Sequence, residues 1–365
     1  MPTTETQTIP ILNLPHSTTK NRGNSKQKLS KTEKIKKYQV SRARKVLKRK
    51  QRKKLKGKKE KLILKALRRE FVVLQAPDNF SFINNTENVL AYFKEAYKNF
   101  SRRLRVDFNL KNISDLTPDA IALMIAKVKD RNFTRGLDTR GSKPDKQALK
   151  RIFEESGFLD HVKSAYRPPK NDGNLMIHQI SSKKVHPELA KQASERAVKH
   201  TFKDKRKFQP IYKAIIECMA NTDNHASTKR EGVYDWWLFT YCNPENNVTS
   251  FTFLDLGIGI FNSNPMNKYK ANILRGISSA TGLDLTGRDN INLVPKLFSG
   301  DIYTSRTENK KRGQGLPTIK ECSENSHIKN FTIVTNNVTI LLPSLGSKFL
   351  TNKFNGTLLY WELHP

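Results

Sequence analysis

Glu217, Asn221 and His225 stand four residues apart in the segment IYKAIIECMANTDNHAS. At 3.6 residues per turn such positions drift by about 40° per step, so one helix stripe carries an acid, an amide and an imidazole on an otherwise apolar segment. Something polar is expected along that stripe. A second candidate is Asp255, which ends an apolar run and is followed by Gly257 and Gly259. A carboxylate at the end of a buried strand accepts an amino proton in a fixed direction, and the two glycines let backbone approach a flat ligand closely. A third is KKRGQGLPTIKEC, which sets Gly313 and Gly315 just before a helix whose free amides suit phosphate oxygens. Near the end, NGTLLYWEL brings Gly356 and Thr357 into a strand.

The elements that position these residues are legible as pattern. Gln209 to His225 reads as a helix, and DWWLFTYCNPENNVTSFTFLDLGIGIF reads as a strand, a turn at Pro244 to Asn247 and a strand ending at Asp255. Pro317 falls in the first turn of its helix, where a missing amide proton costs nothing. Upstream, FSFINN, TENVLAYFKEAYKNFSR, RLRVDFNLKNIS, TPDAIALMIAKVKD and KQALKRIFEESGF predict strand, helix, strand, helix, helix. RPPKNDGN, Arg167 to Asn174, is rich in Pro, Gly and Asn and predicts a linker. The expected division is an arm over 1–70, a small α/β domain over 71–166, a linker over 167–175 and a larger α/β domain over 176–365.

Taken in order, the ExxxNxxxH helix, DxGxG, GxGL at a helix start and a GT strand resemble the ATP-binding domain of the gyrase, heat-shock chaperone, histidine kinase and mismatch-repair superfamily. This is the GHKL or Bergerat fold, and the resemblance covers roughly Val185 to Leu363. It implies a two-layer α/β sandwich with a mixed sheet and helices on one face, with ATP and Mg2+ as cofactors. It also implies that Asn221 is the Mg2+ ligand and that Glu217 is a general base toward water or an acceptor hydroxyl. By the same resemblance Asp255 holds the adenine amino group, Gly257 and Gly259 give the ring room, and Thr357 reaches the same base. Gly313 and Gly315 would cradle the phosphates, and a lid between Gly259 and Gly313 would bring Ser305, Arg306, Lys310 and Arg312 over the triphosphate; each of these is otherwise a solvated loop residue. His225 either touches a phosphate or caps the helix end. The small domain resembles STAS-like domains of anti-sigma-factor antagonists, without their DSSG-type phosphoacceptor turn.

Charge separates the arm from the rest. Of 67 Lys and Arg against 33 Asp and Glu in 365 residues, 24 basic residues against two acids lie between Lys20 and Arg69. Such a segment is too charged to bury, and its lopsided sign predicts nucleic-acid contact through counterion release, or else a solvated tail. Arg42, Arg44, Lys45, Lys48, Arg49, Lys50, Arg52, Lys53 and Lys54 are the densest part. Tyr38 is the only aromatic residue there, so base stacking is not the expected mode. Cys218, Cys242 and Cys322 are widely spaced with no CxxC pair, which predicts neither a disulfide framework nor a zinc site. No apolar run approaches a membrane span and no secretion signal is evident, so the expected setting is intracellular and cytoplasmic.

Two function classes follow. One is an enzyme, an ATPase or an anti-sigma-type Ser/Thr kinase. The other is an ATP-gated module without significant turnover, whose nucleotide controls binding of nucleic acid, a protein partner or a second copy of the chain. The sequence stops eight residues after Thr357. The transducer domain of a full gyrase or chaperone clamp is therefore not expected.

Overall fold

The Lys- and Arg-rich run, whose sequence allows either a disordered or a helical arm, forms one helix, α1 (Lys31–Leu67), from good helix formers uninterrupted by Pro. The structure, a computed structural model, describes residues 31–67, 71–161, 175–180, 185–204, 207–225, 236–263, 266–267, 270, 287–300, 302 and 314–365. At 31–37, 56, 58–67, 160–161, 175–180, 224–225 and 287–289 it describes the backbone alone. The expected linker, 167–175, lies outside the described residues except for Leu175. The chain divides into two units, with the boundary between Lys65 and Ala66.

The second unit is mixed α/β with open sheets. Its first part runs β1 (Phe71–Gln75), β2 (Asn79–Phe80), α2 (Thr86–Ser101), β3 (Arg105–Asn109), β4 (Asp115–Leu116) and α3 (Pro118–Lys129). Then follow α4 (Arg131–Thr134), β5 (Thr139–Ser142), α5 (Gln147–Glu155) and α6 (Phe158–His161). Strands β1, β3 and β5 pair side by side in parallel, while β2 and β4 form a small parallel pair. The first strand is FVVLQ; of FSFINN, predicted as the strand, only Phe80 is extended and the rest turns into α2. That turn is fixed by Asp119, whose buried carboxylate accepts from the amides of Phe82 (2.8 Å) and Ile83 (3.0 Å).

The second part runs β6 (Leu175–Ile180), α7 (Pro187–Phe202), α8 (Gln209–His225), β7 (Trp236–Cys242) and β8 (Thr249–Asp255). It continues with α9 (Val294–Phe298), α10 (Gly315–Ser323), β9 (Ile328–Leu341) and β10 (Gly346–Leu363). The sheet order is β6-β7-β8-β10-β9, and every pairing in it is antiparallel. The mixed sheet expected from the resemblance is thus corrected: the parallel pairings belong to the small sheets.

The helices of 176–365 pack on one face of this sheet, and the other face is covered by α2 and α3 of the preceding part. Side chains alternate across β7, so Trp236 and Leu238 join a core under α7, α8 and α10, whereas Trp237 and Phe239 join a second core with α2 and α3. Leu254, Val334 and Leu358 point to that second side too. Both faces are covered, which is why β7 and β8 read as near-continuous apolar runs. Each fully buried Phe of these layers stabilises by about 1.5–3 kcal/mol. The two parts are clamped further at Glu87 in the first turn of α2. Its carboxylate accepts from the amide (2.5 Å) and hydroxyl (2.8 Å) of Thr351 and from the amide of Asn352 (3.1 Å), all on β10.

Candidate nucleotide site

Two helices, α8 and α10, meet at the start of α10. α8 packs against α10, and a methyl group placed on Gly315 would stand 2.8 Å from Asn221 Oδ1 and 3.1 Å from Glu217 Oε2. Only a residue without a side chain lets the helix start approach both polar groups. The N-cap position is Gln314, which makes no side-chain cap bond among the described residues. The amides of Gly315 and Leu316 therefore lack that partner and suit an anion, while Pro317 carries no amide proton. Burial raises the Glu217 carboxyl above its ordinary range.

Beside this junction lies a pocket lined by Cys218, Asn221, Thr222, Phe253, Asp255, Gly259, Ile260, Ser263, Leu316, Thr357 and Leu359. Its walls are chiefly apolar, and its main charged group is Asp255 at the end of β8. Burial pushes the Asp255 carboxyl up to about 6, and bonds from the Gly257 amide, the Thr222 hydroxyl and the Thr357 amide moderate the rise. The Gly257 amide donates to Oδ1 at 2.8 Å, and the Thr222 hydroxyl lies 3.5 Å from Oδ2. Thr357 on β10 is the register partner of Asp255.

Past Asp255 the chain turns through Gly259 at φ +78 into a short 3-10 helix, Ile260–Asn262. A side chain at Gly259 would be strained by that φ and would strike the Asn336 side chain at 2.5 Å. Asn336 and its neighbour Thr335, both buried on β9, grip this turn. The Asn336 amide accepts from Phe261 N (2.9 Å) and donates to Ile258 O (2.8 Å), and the Thr335 hydroxyl accepts from Ile260 N (3.0 Å). Thr335 Oγ1 also lies 3.3 Å from Thr357 Oγ1.

Of the residues singled out in the sequence, Glu217, Asn221 and Gly315 meet at one point, and Asp255, Gly257, Gly259 and Thr357 meet at the adjoining pocket. His225 is the last residue of α8, with its side chain outside the described residues. Ser305, Arg306, Lys310, Arg312 and Gly313 lie outside the described residues as well. The nine basic residues from Arg42 to Lys54 are exposed on α1. Thr222, Thr335 and Asn336 were not foreseen. The signal for the last two was the polar run Thr335-Asn336-Asn337 inside the apolar strand IVTNNVTIL.

Among the described residues no group of three His, Cys, Asp or Glu side chains gathers to hold a metal. Asn221 could offer one amide oxygen to Mg2+, an ion that keeps most of its waters and takes few protein ligands. All three cysteines are buried and free, and burial pushes the Cys218 thiol well up and the Cys322 thiol up to about 11. Neither is a ready nucleophile. No helix among the described residues is long and apolar enough to cross a membrane. No protein-family model matches the chain, and no curated protein matches it.

Proposed function

We propose that the chain is a Mg2+-dependent ATP-binding protein of the GHKL type that turns ATP over, as an ATPase or as a Ser/Thr kinase. The observation that carries this reading is the close approach of Gly315 to both Glu217 and Asn221, beside a pocket that ends in a buried carboxylate. Asp255 accepts the exocyclic amino group of the base, and Phe253, Ile260, Leu316 and Leu359 exclude water from around the ring. Asn221 turns its amide oxygen to the metal, and the first-turn amides of α10 orient the phosphates. Bound Mg2+ supplies charge neutralisation at the phosphate oxygens. Glu217, whose carboxyl burial raises above its ordinary range, takes the proton of water or of an acceptor hydroxyl.

The arm adds nucleic acid as a partner. Its basic side chains at Arg42 to Lys54 come at 100° steps on one helix and leave no side free of charge. That distribution favours a partner with phosphates on more than one side over a membrane surface, which needs an apolar helix face.

The deciding experiment follows the γ-phosphate of labelled Mg-ATP with wild type and Glu217→Gln side by side. Label released as phosphate, or moved to protein, and lost in the variant supports turnover and separates hydrolysis from transfer. Label that stays on bound ATP replaces this reading with an ATP-gated binding module.

A further inference from the structure

β9 carries a residue whose side chain bonds to the turn after Asp255. Asn336 sits at φ +53, in the left-handed region, where Asn is tolerated better than most residues. The ladder between β9 and β10 breaks there: Phe354 pairs with Asn336, yet Thr357 pairs with Thr335, leaving Asn355 and Gly356 as a bulge. Bulges of this kind re-aim side chains next to functional sites. Here the re-aimed side chain is a buried amide that turns away from the ladder toward the turn after Asp255.

The amide fills both of its roles on that turn, accepting from Phe261 N and donating to Ile258 O. It therefore spans Gly259 from one flank to the other and lies flat against it. Thr335 supports the same turn through Ile260 N, and its hydroxyl proton has an acceptor in Gly356 O at 3.1 Å. A second brace holds the far end of the turn: Lys270 Nζ donates to Phe261 O (3.1 Å) and to Asn290 Oδ1 (2.8 Å), and Asn290 Nδ2 donates to Asn337 Oδ1 (2.6 Å).

We infer that Asn336 is a positioning residue for base recognition: it fixes Gly259 and Ile260 as one wall of the pocket facing Asp255 and Thr357. The inference rests on the ATP reading and deepens it. Among the described residues the amide bonds to the turn after Asp255 and to no phosphate-side group, so its loss weakens recognition of the base and leaves recognition of the phosphates intact. A merely structural Asn would weaken both together.

Asn336→Gly keeps the left-handed backbone and removes both bonds, and Asn336→Asp keeps the acceptor while losing the donor. Binding of ATP, adenosine and inorganic triphosphate, each with Mg2+, is measured by calorimetry, and amide exchange at Ile260 and Phe261 is measured without nucleotide. The expected result for Asn336→Gly is faster exchange at both amides and at least tenfold weaker ATP and adenosine, with triphosphate within twofold. Asn336→Asp should fall between. If wild type binds ATP and the glycine variant binds it equally well, or loses triphosphate in proportion, the inference is overturned while the ATP reading stands. If wild type binds no ATP, both fall.

Discussion

Asp255 and Thr357 stand opposite each other in the β8–β10 register, and the Asp255 carboxyl is buried with its pKa pushed up to about 6. The rise means that the ionised group costs the fold stability. Relative to an ordinary value of 3.8, the folded protein holds its proton more tightly, so stability falls as pH rises from about 4 to about 6 and stays reduced above that. The cost at neutral pH is roughly 3 kcal/mol at most. Asp255→Asn should therefore raise the melting temperature at pH 7.5, at about 2–4 °C per kcal/mol recovered, with little gain at pH 4. The same variant should lose ATP binding. In wild type, ATP affinity should weaken as pH falls below about 6, where the acceptor becomes protonated.

Gly315→Ala tests the junction of α8 and α10. The added methyl would displace the ends of two flexible side chains, Asn221 and Glu217, while alanine suits a helix better than glycine. Melting temperature should change little, and Mg-ATP affinity or turnover should fall at least tenfold. An unchanged affinity would remove α10 from the site.

For the arm, replacing the nine basic residues from Arg42 to Lys54 by Gln should flatten the salt dependence of nucleic-acid binding. Each lost phosphate contact lowers the log–log slope by about 0.9 on duplex DNA or 0.7 on single strands. ATP affinity should stay the same. Retained salt-sensitive binding would move the contact away from α1.

What could be read from the sequence follows the range of the interactions. The α8 stripe, the Asp255 strand end and the helix opening at Gly315 are local patterns, and each appears where its periodicity put it. β1 was missed because the five residues of FVVLQ directly follow the charged arm, and FSFINN carries an equally apolar start but is bent by the distant Asp119 carboxylate. The near-continuous apolar run WWLFTYC fits burial on both faces but gives no sign of which partners take each face. Thr335 and Asn336 act across some 75 residues of sequence on a turn whose own residues show only glycines. No local rule reaches that far.

The apolar seam between the two parts bears on how the molecule can be cut. A fragment beginning at residue 176, where the sequence invites a division, would strip α2 and α3 from Trp237, Phe239, Leu254 and Leu358 and leave Phe354 without its Phe82 and Lys127 neighbours. An aromatic sheet face laid open to water is sticky, and such a fragment should clump in solution rather than report on nucleotide. Residues 66–365 form one compact unit and keep that face covered.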